Sequence, residues 1–246
     1  MEARLLRKAD LLFINGLNLD NSAAATLQKS SSNSNLQIVD LGSKLDRGCL
    51  LEGVCHHVHK PGEKHEHGDD PHVWLGPGRA IKMVEGIRDA LKKADPEHAV
   101  NYDRRAAAYI AKLEKLKADG LELLKDKVQR KLVTFHESMN YFADEFKLEV
   151  FDVVQQKPGS EPNPEDLKKL IEKCAAAKVG VVAVEPQYTR NLSAKTVLDE
   201  LRHRGLVNAA FVEFDPLETV VPADLSPEWY ELKMRENLKN LAAALK

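Results

Sequence analysis

The segment Lys131–Phe135, KLVTF, is followed directly by His136, and this stretch decides the fold. A short apolar run rich in β-branched and aromatic residues indicates a buried strand. The same arrangement occurs twice more, in Val179–Val184 before Glu185 and in Ala209–Phe214 before Asp215. A further strand is predicted at 150–154, with helices at 137–145, 164–177, 191–203 and 227–245. This alternation predicts an α/β fold with a parallel sheet, whose strands are buried on both faces.

The polar residues that end these strands form one candidate site. In open parallel sheets, ligands bind at the carboxyl ends of the strands. We therefore expect His136, Glu185 and Asp215 to lie at the same edge of the sheet. Any one of them alone would be read as a structural residue or a helix cap. Three at equivalent positions indicate a binding site.

The first half of the chain shows a shorter version of the same alternation. Strands are predicted at 10–14 and 36–41, and helices at 2–8, 20–29 and 77–94. The longest apolar stripe covers 97–127, which as a helix would span about 45 Å. We therefore expect two α/β lobes with parallel sheets, an N-terminal lobe of residues 1–95 and a C-terminal lobe of residues 128–246. The helix at 97–127 would join them.

A second candidate site lies in the stretch HHVHKPGEKHEHGDDPHVW, which begins at His56 and holds six of the nine histidines of the chain. Such a density indicates metal binding, because imidazole is the commonest metal ligand near neutral pH. Five of the six are interleaved with Gly, Pro, Lys and Glu, which predicts a loop over 56–69. These five are His56, His57, His59, His65 and His67. His72 leads into a helical pattern, so we expect it to be fixed in position.

The combined set of imidazoles with one or two carboxylates favours zinc, ahead of manganese or iron. The composition excludes other classes. A net charge of −2 with 30% charged residues gives no basic stripe for a nucleic acid. No run approaches the length of about 18 apolar residues that a membrane span needs.

The start of the chain and its cysteines are less informative. The first residues, MEARLLRKAD, lack the apolar segment of a signal peptide. We therefore expect either a cytoplasmic protein or a chain without its natural start. Cys49, Cys55 and Cys174 do not define a disulfide framework. Cys49 and Cys55 could pair, bind metal or do neither, and Cys174 is expected to be a small buried residue.

Four motifs resemble those of a known family. They are DPHVWLGP at 70–77, VTFHESMNYFA at 133–143, VAVEPQ at 182–187 and EFDP at 213–216. Their order and spacing are similar to those of TroA-like metal-binding solute-binding subunits of ABC transporters. NGLNLD at 15–20 resembles a further family segment. A histidine-rich loop before DPH is typical of the zinc-specific branch, and His136 also favours zinc over manganese.

The resemblance implies a function and a ligand set. The chain would capture zinc outside the cytoplasm as a monomer and deliver it to an ABC membrane permease, without catalysis. The metal ligands would be His72 from the first lobe and His136 and Asp215 from the second. Glu185 would orient a ligating histidine. The five loop histidines would gather zinc or lend an extra ligand.

The resemblance also implies a truncation. Family members carry a first strand, a first helix and a first ligand histidine before the segment that matches the start of this chain. The first lobe is then expected to be incomplete, with three fixed ligands completed by a loop histidine or by water. We expect a lower zinc affinity than in a relative that has all the ligands.

Two other functions stay open at this point. Three protein ligands with an open fourth position are typical of catalytic zinc, so a zinc-dependent hydrolase is one alternative. Glu137 is then the candidate general base, although H-E-x-x-H and nucleophile-elbow motifs are both lacking. The other alternative is a metal-buffering protein that works without a transporter.

Overall fold

The computed structural model describes residues 2–53, 68–155, 162–188 and 191–246. The chain forms two compact α/β units, the first ending at Glu114 and the second beginning at Lys115. The helices are α1 (Glu2–Leu6), α2 (Asn21–Ser31), α3 (Pro77–Ala94), α4 (Ala99–Leu124), α5 (Asn140–Phe146), α6 (Pro164–Ala177), α7 (Leu192–His203) and α8 (Trp229–Ala244). The strands are β1 (Leu11–Ile14), β2 (Gln37–Asp40), β3 (Lys131–Thr134), β4 (Glu149–Val153), β5 (Val181–Val184) and β6 (Ala210–Glu213).

The second unit is built on a parallel sheet with strand order β4-β3-β5-β6. All four residues of β5 are buried, as expected for a central parallel strand. Buried residues of α6 and α7 pack with the sheet in one apolar core, which includes Ile171, Val182 and Leu201. The strand predictions for this half are therefore confirmed, and the carboxyl ends of β3, β5 and β6 share one edge.

The first unit contains a parallel pair, β1 and β2, with Leu11 opposite Gln37. The loop after β1 is held by Asp20, whose carboxylate accepts hydrogen bonds from the backbone N–H groups of Asn15 (2.9 Å) and Gly16 (2.8 Å). Gly16 has a φ of +82°, and a Cβ there would overlap the Asp40 carboxylate. Only glycine fits this turn, so the position of Asn15 is fixed by the sequence around it.

Several helix boundaries differ from the sequence predictions by a few residues, and two of these differences have a clear structural cause. The helix predicted at 137–145 begins only at Asn140, because His136 to Met139 form a tight turn in which Ser138 N–H donates to the His136 carbonyl oxygen (3.0 Å). Helix α4 ends at Leu124 rather than 127. The Arg130 guanidinium donates there to the carbonyl oxygens of Leu124 (2.8 Å) and Lys125 (3.0 Å), which satisfies the end of the helix.

Helix α6 begins with a side-chain cap. The Asn163 side chain accepts a hydrogen bond from Asp166 N–H, and Pro164 occupies the first turn.

Gly120 interrupts the apolar pattern of α4 for a packing reason. A Cβ at this position would lie 2.4 Å from the Phe146 ring and 2.8 Å from Leu238. Both neighbours are almost fully buried, so neither side chain has space to move away. The glycine therefore permits α4 to pack closely against α5 and α8 inside the second unit.

We expect Gly120→Ala to lower the free energy of unfolding by about 1–3 kcal/mol, because overpacking outweighs the gain in helix propensity. Gly86→Ala in α3 is the matched control. Its Cβ would meet Leu41 at an ordinary 3.4 Å, so we expect a gain of about 0.5–1 kcal/mol. Urea denaturation of both variants measures the difference. An equal gain in both would show that Gly120 is not required for packing.

Candidate metal centre

His136 follows β3 by two residues in the second unit, and its imidazole is held by Glu185, the residue directly after β5. Its Nδ1 is hydrogen-bonded to Glu185 Oε1. Glu185 is only 3% exposed, and its other oxygen accepts from the Gln187 side-chain amide (2.6 Å). Phe135 and Tyr188 stack with their ring centroids 4.4 Å apart, which braces the residues beside this pair. The arrangement fixes the imidazole ring with Nε2 directed away from Glu185.

The other ring nitrogen of His136 faces a second carboxylate. Glu218 Oε1 lies 3.2 Å from His136 Nε2. Burial opposes the charged imidazolium, but the hydrogen bonds to Glu185 and Glu218 outweigh it and raise the pKa of His136 to about 9. The ring is therefore protonated near neutral pH in the metal-free protein. A metal ion that binds Nε2 must displace that proton.

Asp215 follows β6 at the same edge of the sheet, as predicted. Its Oδ1 accepts a hydrogen bond from Leu217 N–H (2.9 Å), and its Oδ2 lies 3.5 Å from Lys233 Nζ. The resulting turn leads to Glu218, the residue that meets His136. Asp215 therefore shapes the loop that carries Glu218, in addition to its predicted role as a ligand.

His72 in the first unit has a similar environment. Its Nδ1 lies 2.7 Å from Asp70 Oδ1, which also accepts from the His72 backbone N–H (2.9 Å). Asp70 is buried, and its neighbour Pro71 accepts a hydrogen bond at its carbonyl oxygen from Asn15 Nδ2 (2.9 Å). The Trp74 ring lies 5.4 Å from the imidazole, centroid to centroid. His72 is therefore fixed in position, as the sequence predicted, with Nε2 on the side away from Asp70.

The structure adds two residues that sequence reasoning missed. Asp70 orients His72 in the way that Glu185 orients His136. The sequence feature that could have revealed this role is a carboxylate two residues before a histidine. Glu218 had no such signal, because it lies beyond a strand end rather than on it. The histidines predicted to be loop ligands, together with Cys55, lie outside the described residues. These are His56, His57, His59, His65 and His67.

The remaining groups have structural roles. Cys174 is fully buried, which raises the pKa of its thiol to about 12 and confirms it as a core residue. Glu137 accepts a hydrogen bond from the Asn140 side chain (3.0 Å) within the turn before α5.

Across the parts of the chain that the structure describes, no helix combines the length and apolar character needed to cross a membrane.

Parallel α/β units in which buried carboxylates orient imidazoles are consistent with the TroA-like metal-binding solute-binding proteins that the sequence motifs resemble. A family model described as zinc-uptake complex component A, periplasmic, matches residues 1–244. The chain belongs to this family.

Individual relatives agree with this assignment. The zinc-binding protein AdcA of Streptococcus pyogenes is 34% identical over 205 residues, covering 78% of this chain and 38% of the relative. The chain thus spans little more than a third of that relative's length. A crystal structure of ZnuA has the same fold, with a TM-score of 0.79, 24% identity, and coverage of 99% of this chain and 83% of that one. The solute-binding protein FpvC of Pseudomonas aeruginosa in complex with Mn²⁺ also has a TM-score of 0.79, with 26% identity and coverage of 98% and 82%.

We expect His136 in the metal-free protein to titrate near pH 9 rather than near 6.5, as measured by the pH dependence of its imidazole NMR signals. A raised pKa means that the folded state holds the proton more tightly than the unfolded state. This contribution to stability is therefore complete below pH 6.5 and is lost as the pH rises through about 9. Glu218→Gln should move the pKa of His136 downward. An ordinary pKa in the unmodified protein would contradict the arrangement of the two carboxylates.

Proposed function

We propose that this chain captures zinc outside the cytoplasm, as a monomer, and delivers it to an ABC-type membrane permease for uptake. The observation that carries the proposal is the orientation of two histidines by buried carboxylates, Asp70 for His72 and Glu185 for His136. Carboxylate partners at Nδ1 are what ligating histidines use to fix their tautomer and to increase their basicity. Membership of a zinc-uptake family supports zinc as the cargo.

We assign His72 and His136 as zinc ligands through their Nε2 atoms, together with a carboxylate from the 215–218 loop. The sequence predicts Asp215 as this ligand. In the structure, Glu218 is the carboxylate that lies beside His136 Nε2. One oxygen of the Asp215 carboxylate accepts a hydrogen bond from Leu217 N–H, and the other faces the Lys233 ammonium group. Both contacts make this carboxylate a weaker metal ligand. We therefore favour Glu218 as the ligand, with Glu185 as the group that orients His136.

The donor set supports reversible transport. Imidazole and carboxylate donors suit zinc, and they also accept manganese, the ion bound to the neighbour FpvC. Because His136 carries a proton near neutral pH, zinc binding is coupled to proton release. Return of the proton to His136 Nε2 would then favour release of the zinc ion. Zinc is the cargo in this reading, and no general base or activated water is required.

The hydrolase alternative receives no support from the site. Its candidate base, Glu137, is engaged by Asn140 in a turn. Glu137→Gln should leave zinc binding intact, and any zinc-dependent hydrolysis that this variant abolished would overturn the transport reading.

The ligand assignment predicts a ranked series of affinities in competition with a chelator of known strength. His136→Ala and His72→Ala should each weaken zinc binding by more than about 100-fold, beyond the usual cost of losing an outer-shell partner. Glu218→Gln should weaken it by more than Asp215→Asn. His203→Ala is the control, since this side chain is 79% exposed and lies on α7. A larger loss for Asp215→Asn would return the ligand role to Asp215.

The accessory role of the loop predicts that its removal leaves the tight site intact. The ends of the loop are held together, since Gly53 N–H donates to the Gly68 carbonyl oxygen (2.9 Å) and Asp70 N–H to that of Leu51 (2.9 Å). Residues 54–67 can therefore be replaced by a two-residue Asn-Gly turn without separating these ends. We expect the shortened chain to lose weak additional zinc sites in calorimetry and to keep the tight one. Loss of the tight site would make a loop histidine an essential ligand.

A further inference from the structure

The loop that carries Glu218 is held from α8 by one buried side chain. Asn237 is 1% exposed, and its amide pairs with both backbone groups of Asp215. Its Oδ1 accepts from Asp215 N–H (2.8 Å), and its Nδ2 donates to the Asp215 carbonyl oxygen (2.7 Å). The amide thus acts as a substitute for a neighbouring strand just past the end of β6. Asparagine suits this position because it is neutral and supplies one donor and one acceptor on the same group.

The backbone between Asp215 and Glu218 has a constrained path. Leu217 has a φ of +60°, a left-handed conformation that is uncommon for a residue with a side chain. The hydrogen bond from Leu217 N–H to Asp215 Oδ1 stabilises it (2.9 Å). This turn has a fixed direction only if Asp215 itself is fixed. The two hydrogen bonds between the Asn237 amide and the Asp215 backbone meet that requirement.

The helix that supplies Asn237 is itself firmly seated in the second unit. Met234, Leu238 and Leu241 on α8 are almost fully buried, and Leu238 lies against Gly120 of α4. Phe214, which precedes Asp215, packs edge-on against Phe142 with ring centroids 5.0 Å apart. The loop therefore has a rigid support on both sides, with Asn237 as the polar link between the helix and the strand end.

We propose that Asn237 is a positioning residue for zinc binding, which holds the Asp215 backbone so that Leu217 directs the Glu218 carboxylate to His136. This inference rests on the proposed function, in which Glu218 is a ligand. Asn237 would not touch the ion. Its effect would reach zinc through the backbone of the loop.

The test is a double-mutant cycle between Asn237→Ala and Glu218→Gln, with zinc affinity measured by chelator competition and folding checked by thermal denaturation. Asn237→Ala should weaken zinc binding by about 10-fold to 100-fold in the unmodified protein, the usual range for a group that orients a ligand. In the Glu218→Gln background the same substitution should cost little further, because the residue it positions is already changed. A purely structural role would cost the same in both backgrounds.

Asn240→Ala is the matched control. Asn240 lies on the same helix and also donates from its amide to the end of β6, at the Glu213 carbonyl oxygen (3.0 Å), but it does not hold Asp215. We expect this variant to keep its zinc affinity. If Asn237→Ala does not fold, Asn237→Ser replaces it in the same cycle, and failure of both to fold would overturn the proposal in favour of a structural role.

The remaining outcomes separate the two claims. If Glu218→Gln weakens zinc binding and folded Asn237→Ala does not, the positioning role is wrong and the proposed ligand set stands. If Glu218→Gln has no effect, the ligand assignment fails and the positioning role fails with it.

Discussion

The buried carboxylate of Glu185 is the constraint on which the metal centre depends. A carboxylate that is only 3% exposed is costly unless it is paired, and here it is satisfied by the His136 ring and the Gln187 amide. Satisfying Glu185 also orients the imidazole, so that one interaction serves both stability and function. The first unit uses the same solution, with buried Asp70 holding His72. Both imidazole rings are therefore held in a fixed orientation by carboxylates of the protein itself.

The charges around His136 support the proposal that zinc binding is coupled to the release of a proton. His136 lies between Glu185 and Glu218 and holds a proton with a pKa of about 9. Zinc can replace that proton at Nε2 and gain Glu218 as a neighbouring oxygen donor. In the proposed cycle, the proton on His136 offsets one carboxylate charge in the metal-free protein, and zinc takes its place when the ion binds.

The sequence predicted those features that depend on periodicity and strand polarity. The strands ending at His136, Glu185 and Asp215 were recognised from apolar runs, and a parallel sheet places such residues at one edge. Glu218 could not be found this way, because it follows a left-handed Leu217 in a loop whose Asp215 backbone is hydrogen-bonded to Asn237, 22 residues further along the chain. Nothing in the sequence around Gly120 explains a glycine inside a helix, and only the packing of Phe146 and Leu238 does so. Tertiary contacts between distant residues carry no local sequence signal.

We propose that zinc is held by fixed histidines and a loop carboxylate, with the histidine-rich loop as an accessory. The most direct test is a crystal structure of the chain loaded with one equivalent of zinc, with the ion located by anomalous scattering at the zinc edge. The expectation is one strong peak bonded to His136 Nε2 at about 2.0–2.1 Å, with Glu218 as a further ligand. A single peak surrounded only by histidines of residues 56–67 would contradict it.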